Sequence, residues 1–468
     1  MIFLGYYKKH HLWLNVLFFA AILYAIGVFN YIPYSPNGIH LARQTDGYSF
    51  ILHYANNGMN LFQPGNLNVE SSDGRCVSEL PILYYLEAII YKSTGILFGL
   101  PESISVIFLL IAFWACNSLL FEYLKNRWIS FATSLILFSS TVLLYYSHRN
   151  MPDAPALAFL LLGFRNFYMY PWNSRNKIFK TVLFLTLATL FKPALFFFQG
   201  GLLGLTILFY KNFQSKKVIY FQILGVGVIL AWVFLINYYN TTNHVFYYTT
   251  QIRPFWTYSF ERTERALDIM WSYWYSKYYF QSTLHLFGTL ILVAFFNPKV
   301  SFLERVIVVL SIGSSLVYFA LFTEQFIDHD YYFIPFIPTL GIVTAIAVKS
   351  LLAYDRQIIQ YAIVMVLAVI SVLSLDYARI NLMRRFFQEP DLHTVIRYKA
   401  LLLKKKVDAL DPTGKKEVIV YGEHSRNISL VFLNRRGWAY KNDYQMDKGW
   451  VKKAIKVDLD NYTVVPGE

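Results

Sequence analysis

Apolar runs long enough to read as membrane helices recur along almost the whole chain, and the polar interruptions between them are short except in two places. After a first run at 12–29, others follow at 104–121, 128–146, 154–167, 178–191, 194–209 and 218–236, then at 284–296, 306–322, 331–348 and 358–375. Some are shorter than the ~20 residues that cross a bilayer, so the pattern predicts about eleven transmembrane helices whose ends are loosely defined. The opening MIFLGYYKKHH lacks a small-residue cleavage site and leads into a run too long for a signal peptide, which predicts an uncleaved first helix.

The two long interruptions span 30–103 and 237–283. Within the first, Tyr48, Ile51, Leu52, Ala55 and Met59 recur at helical spacing over 46–60, with Thr45 or Asp46 available as N-cap. A second helix begins near Ser78, with Pro81 tolerated in its first turn. Both read as amphipathic helices lying along the interface. The second interruption carries Trp256, Trp271, Tyr273, Trp274, Tyr275, Tyr278 and Tyr279, residue types that favour the headgroup level. After Asp376 the pattern turns mixed and charged, with strand-like pieces at 418–421, 438–440 and 462–465 and a helix around 428–433. The organisation predicted is a membrane domain at 1–376 followed by a small α/β domain at 377–468.

Charge gives this pattern a direction. With Lys8 and Lys9 in the cytoplasm, the turns holding Lys125 and Arg127, then Arg175, Lys177 and Lys180, then Lys211, Lys216 and Lys217, fall on the same side. Those holding Lys299 and Arg305, and Lys349 and Arg356, do so too. Both long loops and the C-terminal domain then face outward, into the periplasm if the membrane is a bacterial inner membrane. A net charge of +14 would otherwise point to nucleic acid, but topology accounts for it, and 56% hydrophobic residues describe a chain solvated mainly by lipid. Cys76 and Cys116 are the only cysteines, which excludes a disulfide framework and a cysteine-rich metal site.

On that topology the outer helix ends collect Asp46, Glu79, Asp153, Lys192 and the run Glu324, Asp328, His329, Asp330. Each has a plain alternative. Asp46 and Asp153 suit helix caps, Glu79 complements a helix N-terminus, and Lys192 before Pro193 suits a snorkelling anchor. The 328–330 run is a solvated turn or contributes carboxylate and imidazole to a metal site. Taken together they describe an interfacial cleft lined by carboxylates, with Lys192 to meet an anionic group such as a phosphate.

The segment T-D-G-Y-S-F-I-L-H-Y-A-N-N-G-M after the first helix resembles the start of the first outer loop of GT-C fold glycosyltransferases, in the protein O-mannosyltransferase and aminoarabinose transferase superfamily. Asp46 matches the acidic residue that follows the first helix there. S-E-L-P-I-L-Y-Y is similar to the family's acidic-Lys-Pro-Pro-x-x-Tyr segment through Glu79, Pro81, Tyr84 and Tyr85, with Leu80 at the Lys position and Ile82 at the second Pro. R-N-M-P-D-A-P resembles the family's Asp-x-Pro through Asp153 and Pro155, and L-F-K-P-A-L its Lys-Gly-Pro region through Lys192, without the Gly. H-D-Y-Y-F-I-P-F-I-P looks like the aromatic, Pro-rich segment before a late helix, through His329, Tyr331, Tyr332, Pro335 and Pro338.

The resemblance implies a polytopic GT-C-like enzyme that moves a sugar from a polyprenyl-phosphate donor to a lipid, glycan or protein acceptor at the outer face, with inversion. Asp46 is then the base, with Glu79 and Asp153 orienting it or the acceptor, or binding a divalent cation if one is used. Lys192, with Arg149 or His329, holds the phosphate, and Tyr84 and Tyr332 join the donor site. A carboxylate with an ordinary pKa near ~4 is a weak base, so this role requires desolvation or tight positioning. The alternatives are a transporter or lipid flippase, for which charges near the bilayer midplane are expected, a glycan polymerase or ligase, and a non-catalytic scaffold.

Overall fold

A computed structural model describes residues 2–467 apart from 71, 170–174, 210–215, 246–247, 249–251, 355, 389–391 and 442–452. Lys211 of the basic turns lies outside the described residues. The apolar runs are helices, the one open-ended structure that satisfies its own backbone polar groups in lipid. Helix α1 (Ile2–Ala25) bends by 54° into a short helical piece, with Gly27 at φ 84 making the turn. The first long loop carries α2 (Leu41–Asn56) and α3 (Ile82–Thr94). The membrane part continues with α4 (Leu100–Leu124), α5 (Arg127–Phe138), α6 (Thr141–Tyr146), α7 (Asp153–Met169), α8 (Arg175–Phe191), α9 (Phe196–Leu208) and α10 (Lys216–Thr242). After α11 (Phe260–Ile269) in the second outer loop come α12 (Gln281–Phe296), α13 (Phe302–Phe322), α14 (Ile337–Leu352) and α15 (Gln357–Met383).

Among the described residues five helical stretches are long and apolar enough to cross a membrane, and seven if each of two bent pairs forms one span. Helices α5, α7, α8 and α9 are shorter, at 12, 17, 17 and 13 residues. The 128–146 run, expected as one helix, is two: Ser140 caps α6 by accepting from the Leu143 amide. On α10 and α15 the apolar faces that include Ile223, Leu230, Phe234, Tyr361, Met365 and Val372 are exposed, as lipid-facing surfaces are. Inside the bundle, Asn15 bonds Asn117 at 2.9 Å, Asn117 bonds Ser134 at 3.1 Å, and Ser315 meets Thr339 at 2.6 Å. At the end where the basic turns lie, Glu304 accepts from Tyr123 at 2.5 Å and from Lys349 at 2.7 Å.

Three local expectations are corrected. Helix α2 starts five residues earlier than the pattern placed it, after His40 at φ 56, and ends at Asn56, so Asp46 lies inside the helix and is not its cap. Helix α3 begins after Pro81, because the Leu80 amide donates to the Leu190 carbonyl and holds that segment off the helix. In the second loop Trp256 and Trp271 are exposed, but Trp274, Tyr278 and Tyr279 are buried: Trp274 donates to the Ile327 carbonyl, Tyr278 stacks on Phe333, and Tyr279 donates to the Leu137 carbonyl.

Beyond α15, helix α16 (Leu392–Leu410) buries Ile396, Ala400, Leu403 and Val407 at helical spacing. It covers a sheet of β1 (Val418–Tyr421), β2 (Gly437–Tyr440), β3 (Ile455–Asp458) and β4 (Thr463–Val465), with α17 (Ile428–Leu433) crossing between β1 and β2. The order is β2-β1-β3-β4, parallel except for the β3/β4 edge pair. The apolar core beneath α16 and α17 also contains Tyr48, Phe50 and Leu52 of α2 and Tyr84 and Ala88 of α3. Gly437 of β2 exchanges backbone bonds with Leu67 and Val69 of the first loop. The helices α2 and α3 of the first long loop and the C-terminal sheet therefore form one packed body.

Candidate active site

Helical spacing puts Arg43 and Asp46 one turn apart on α2. The Arg43 guanidinium lies 2.7 Å from Glu79, which also accepts from Ser78 at 2.5 Å and from the Tyr84 hydroxyl. These donors and the positive charge outweigh burial and hold the Glu79 carboxyl below its ordinary value. Asp46 goes the other way. Desolvation raises its carboxyl and the nearby Glu79 charge adds to this, against the opposing pull of Arg43 and an Asn427 hydrogen bond of 2.8 Å. Two neighbouring carboxylates are thus driven apart, the pattern by which a site separates a proton acceptor from a fixed charge.

Asp153 and Lys192 come from consecutive helices. Pro193 excludes helical backbone at Lys192, whose φ −137 and ψ 96 end α8 and turn the side chain toward the start of α7. There its ammonium pairs with Asp153 at 2.7 Å, with the two side chains 12% and 1% exposed. The same ammonium sits 4.6 Å from the ring centre of Tyr331 and 5.0 Å from that of Tyr332. The Leu80–Leu190 backbone bond draws the Glu79 segment to this end of α8. On the other side Gly47 of α2 packs so closely on Asn150 that a Cβ there would fall 2.7 Å from its side chain. The Arg43–Glu79 pair with Asp46 and the Lys192–Asp153 pair therefore lie at neighbouring helix ends, and both pairs act electrostatically on Tyr332.

Only part of the 328–330 run is solvated: Asp328 is exposed, His329 half-buried and Asp330 enclosed. Asp330 is fully buried, takes Arg385 at 2.6 Å and Tyr146 at 2.6 Å, and lies 3.5 Å from His40. His329 stacks on Tyr331 and faces His40, and burial together with the His40 and Lys192 charges pushes its imidazole down to about 3. Burial there disfavours the imidazolium form. Arg149 is closed off: it is fully buried between the rings of Tyr145 and Phe386, at 4.3 and 4.6 Å, and donates to Ser35 and to the His148 carbonyl. Its Nε and Nη2 are buried without a hydrogen-bond partner among the described residues. Tyr84 acts on the cluster through Glu79, while Tyr332 borders Lys192 directly.

Asp46, Glu79 and Asp153 do not converge as a metal-ligand set, since each carboxylate is turned to its own partner; among the described residues no group of three or more His, Cys, Asp or Glu could hold a metal ion. The groups missed from sequence are Arg43, the Asp330–Arg385 pair and Asn427. The i, i+3 spacing of Arg43 to Asp46 was a usable signal. Arg385 and Asn427 are brought in only by the fold. An apolar cavity of about 250 Å³ runs between the helices from Phe198, Ile337 and Pro338, within two turns of Lys192 and Tyr332, to Tyr123 and Glu304 at the basic-turn end.

No protein-family model and no curated protein matches the sequence. Among solved structures, the chain is similar to ArnT from Cupriavidus metallidurans bound to undecaprenyl phosphate, with a TM-score of 0.59 and 12% identity over 92% of this chain and 86% of that one. The apo state of the same protein gives 0.58 and 12% over the same shares. The likeness is one of fold, and it is the fold that the outer-loop resemblance implied.

Proposed function

We propose that the chain is an integral membrane glycosyltransferase that moves a sugar from a polyprenyl-phosphate donor to an acceptor at the extracytoplasmic face, with inversion. The observation that carries this is a carboxyl of raised pKa, Asp46, beside Arg43 on α2, together with an aromatic-lined cation, Lys192, whose flanking ring Tyr331 also feels the Arg43 charge. The fold shared with an ArnT structure bound to undecaprenyl phosphate supports a lipid-linked donor. Ionisable groups gathered at one end of the helices suit an interfacial enzyme better than a conduit, whose charges belong near the midplane.

In the reaction the acceptor hydroxyl gives its proton to Asp46 as its oxygen bonds to the anomeric carbon. The bond from that carbon to the phosphate oxygen breaks, and polyprenyl phosphate leaves with the electron pair. Lys192 and Arg43 offset the charge that develops on the leaving group, and Asp153 and Glu79 keep those cations oriented before donor arrives. The apolar cavity beneath Tyr332 accepts part of the polyprenyl chain. Purified protein is incubated with donor labelled in the sugar: wild type transfers label to acceptor and Asp46→Asn does not. Full activity in Asp46→Asn removes Asp46 as the base.

A further inference from the structure

We infer that Asn427, carried by the C-terminal sheet, is a positioning residue for Asp46, so that this sheet completes the transfer site; the inference rests on the transfer function proposed above. Asn427 is 1% exposed, and its amide nitrogen donates to Asp46 Oδ1 at 2.8 Å. Its amide oxygen accepts from Ser49 Oγ at 3.1 Å, and Ser49 in turn accepts from the Leu67 amide at 2.7 Å. An ionised carboxylate can only accept, and the Ser49 hydroxyl has its proton free to give, so both neighbours fix the same amide orientation. Asp46 Oδ1 is thereby held, and the Tyr248 hydroxyl is the other side-chain group that hydrogen-bonds this carboxylate.

The placement of Asn427 is built in. It starts α17 in the connection that leaves the carboxyl end of β1, the end of a parallel strand at which open α/β sheets present their functional loops. The connection is stiffened by buried Glu423, which accepts from the Ser425 hydroxyl and from the Ser429 amide at 3.3 Å. The Asn427 carbonyl accepts from the Val431 amide at 2.9 Å. Docking of the sheet does not depend on the Asn427 side chain. Leu67 and Val69 bond to Gly437, Asn68 donates to the Arg426 carbonyl at 3.0 Å, and Arg436 pairs with Asp73. An Asn427 variant thus loses its bonds to Asp46 and Ser49 and keeps the backbone bonds and the Arg436 pair that hold the interface.

The hydrogen bond favours the ionised form of Asp46, so its loss raises the Asp46 pKa. The test is the pH dependence of carbodiimide labelling at Asp46, since the reagent attacks only the protonated carboxyl, with the site read by mass spectrometry of the full-length protein. In Asn427→Ala the labelling midpoint moves to higher pH. The acidic limb of kcat moves the same way, and kcat at pH 7 falls on the order of tenfold or more while KM for donor stays within about twofold. Arg436→Ala, which weakens docking alone, leaves the midpoint where it was. An unchanged midpoint in Asn427→Ala, or an equal shift in Arg436→Ala, overturns the inference. Should Asn427→Ala fail to fold, Asn427→Ser is read by the same labelling. If wild type transfers no sugar, transfer itself is refuted, while the labelling still decides whether Asn427 controls Asp46.

Discussion

Replacing Lys192 by Met separates the energetic role of the Lys192–Asp153 pair from its chemical one. At 2.7 Å and an effective dielectric near 20, the pair is worth roughly 6 kcal/mol of gross attraction, most of it offset by the cost of desolvating both groups. Removing one partner forfeits that attraction and leaves Asp153, with its side chain 1% exposed, as an uncompensated buried charge; such a break costs about 3–5 kcal/mol. Lys192→Met should therefore be destabilised by that amount and inactive. The double variant Lys192→Met with Asp153→Asn removes the stranded charge and should recover more than half of the lost stability, yet stay far below wild-type transfer because only Arg43, already paired with Glu79, is left to face the donor phosphate. Stability is read by denaturing-detergent titration of the purified protein, and activity by transfer of label from a polyprenyl-phosphate sugar. Wild-type stability in Lys192→Met, or restored transfer in the double variant, would refute the reasoning.

Transfer should fall as pH drops through the raised Asp46 pKa, so the acidic limb of kcat/KM should sit above the ~3.9 of a free aspartate; a limb at or below that value would remove the desolvation argument. Glu79 has a folded pKa below its unfolded one, so its contribution to stability is present above the ordinary carboxylate range and lost as pH falls through the depressed value; Glu79→Gln should flatten that part of an acid-unfolding curve. Tyr146→Phe removes a donor to buried Asp330 and should cost about 1–3 kcal/mol in the same detergent titration, with Asp330 still paired to Arg385. Arg43→Met takes a cation from both Asp46 and Glu79 and should move the acidic limb of transfer to higher pH, which a pH–rate profile of the variant checks.

What the sequence carried was what short-range physics determines. Apolar runs announced the helices because lipid demands internally bonded backbone, and Pro193 marked the helix end that presents Lys192. Valines and isoleucines announced β1, while β3 was missed because it is only four residues long, although Ile455 and Val457 alternate with Lys456 and Asp458 as a half-buried strand does. Helix α16 was legible in principle from Ile396, Ala400, Leu403 and Val407. The break at Ser139–Ser140 was not, since two serines interrupt an apolar run only weakly. Within the site, acids and Lys192 stood out as isolated charges beside apolar helices. Their environments did not: Asn427 reaches Asp46 from 381 positions away, and Arg149 looks like any helix-end cation until Tyr145 and Phe386 close over it.

The most direct test uses wild-type protein in sealed vesicles with donor labelled separately in sugar and in polyprenyl phosphate. The account predicts that sugar label passes to acceptor with inverted anomeric configuration while polyprenyl phosphate accumulates in equal amount on the side holding the C-terminal sheet. Donor that crosses the membrane intact, or that keeps its sugar with acceptor present, would contradict it.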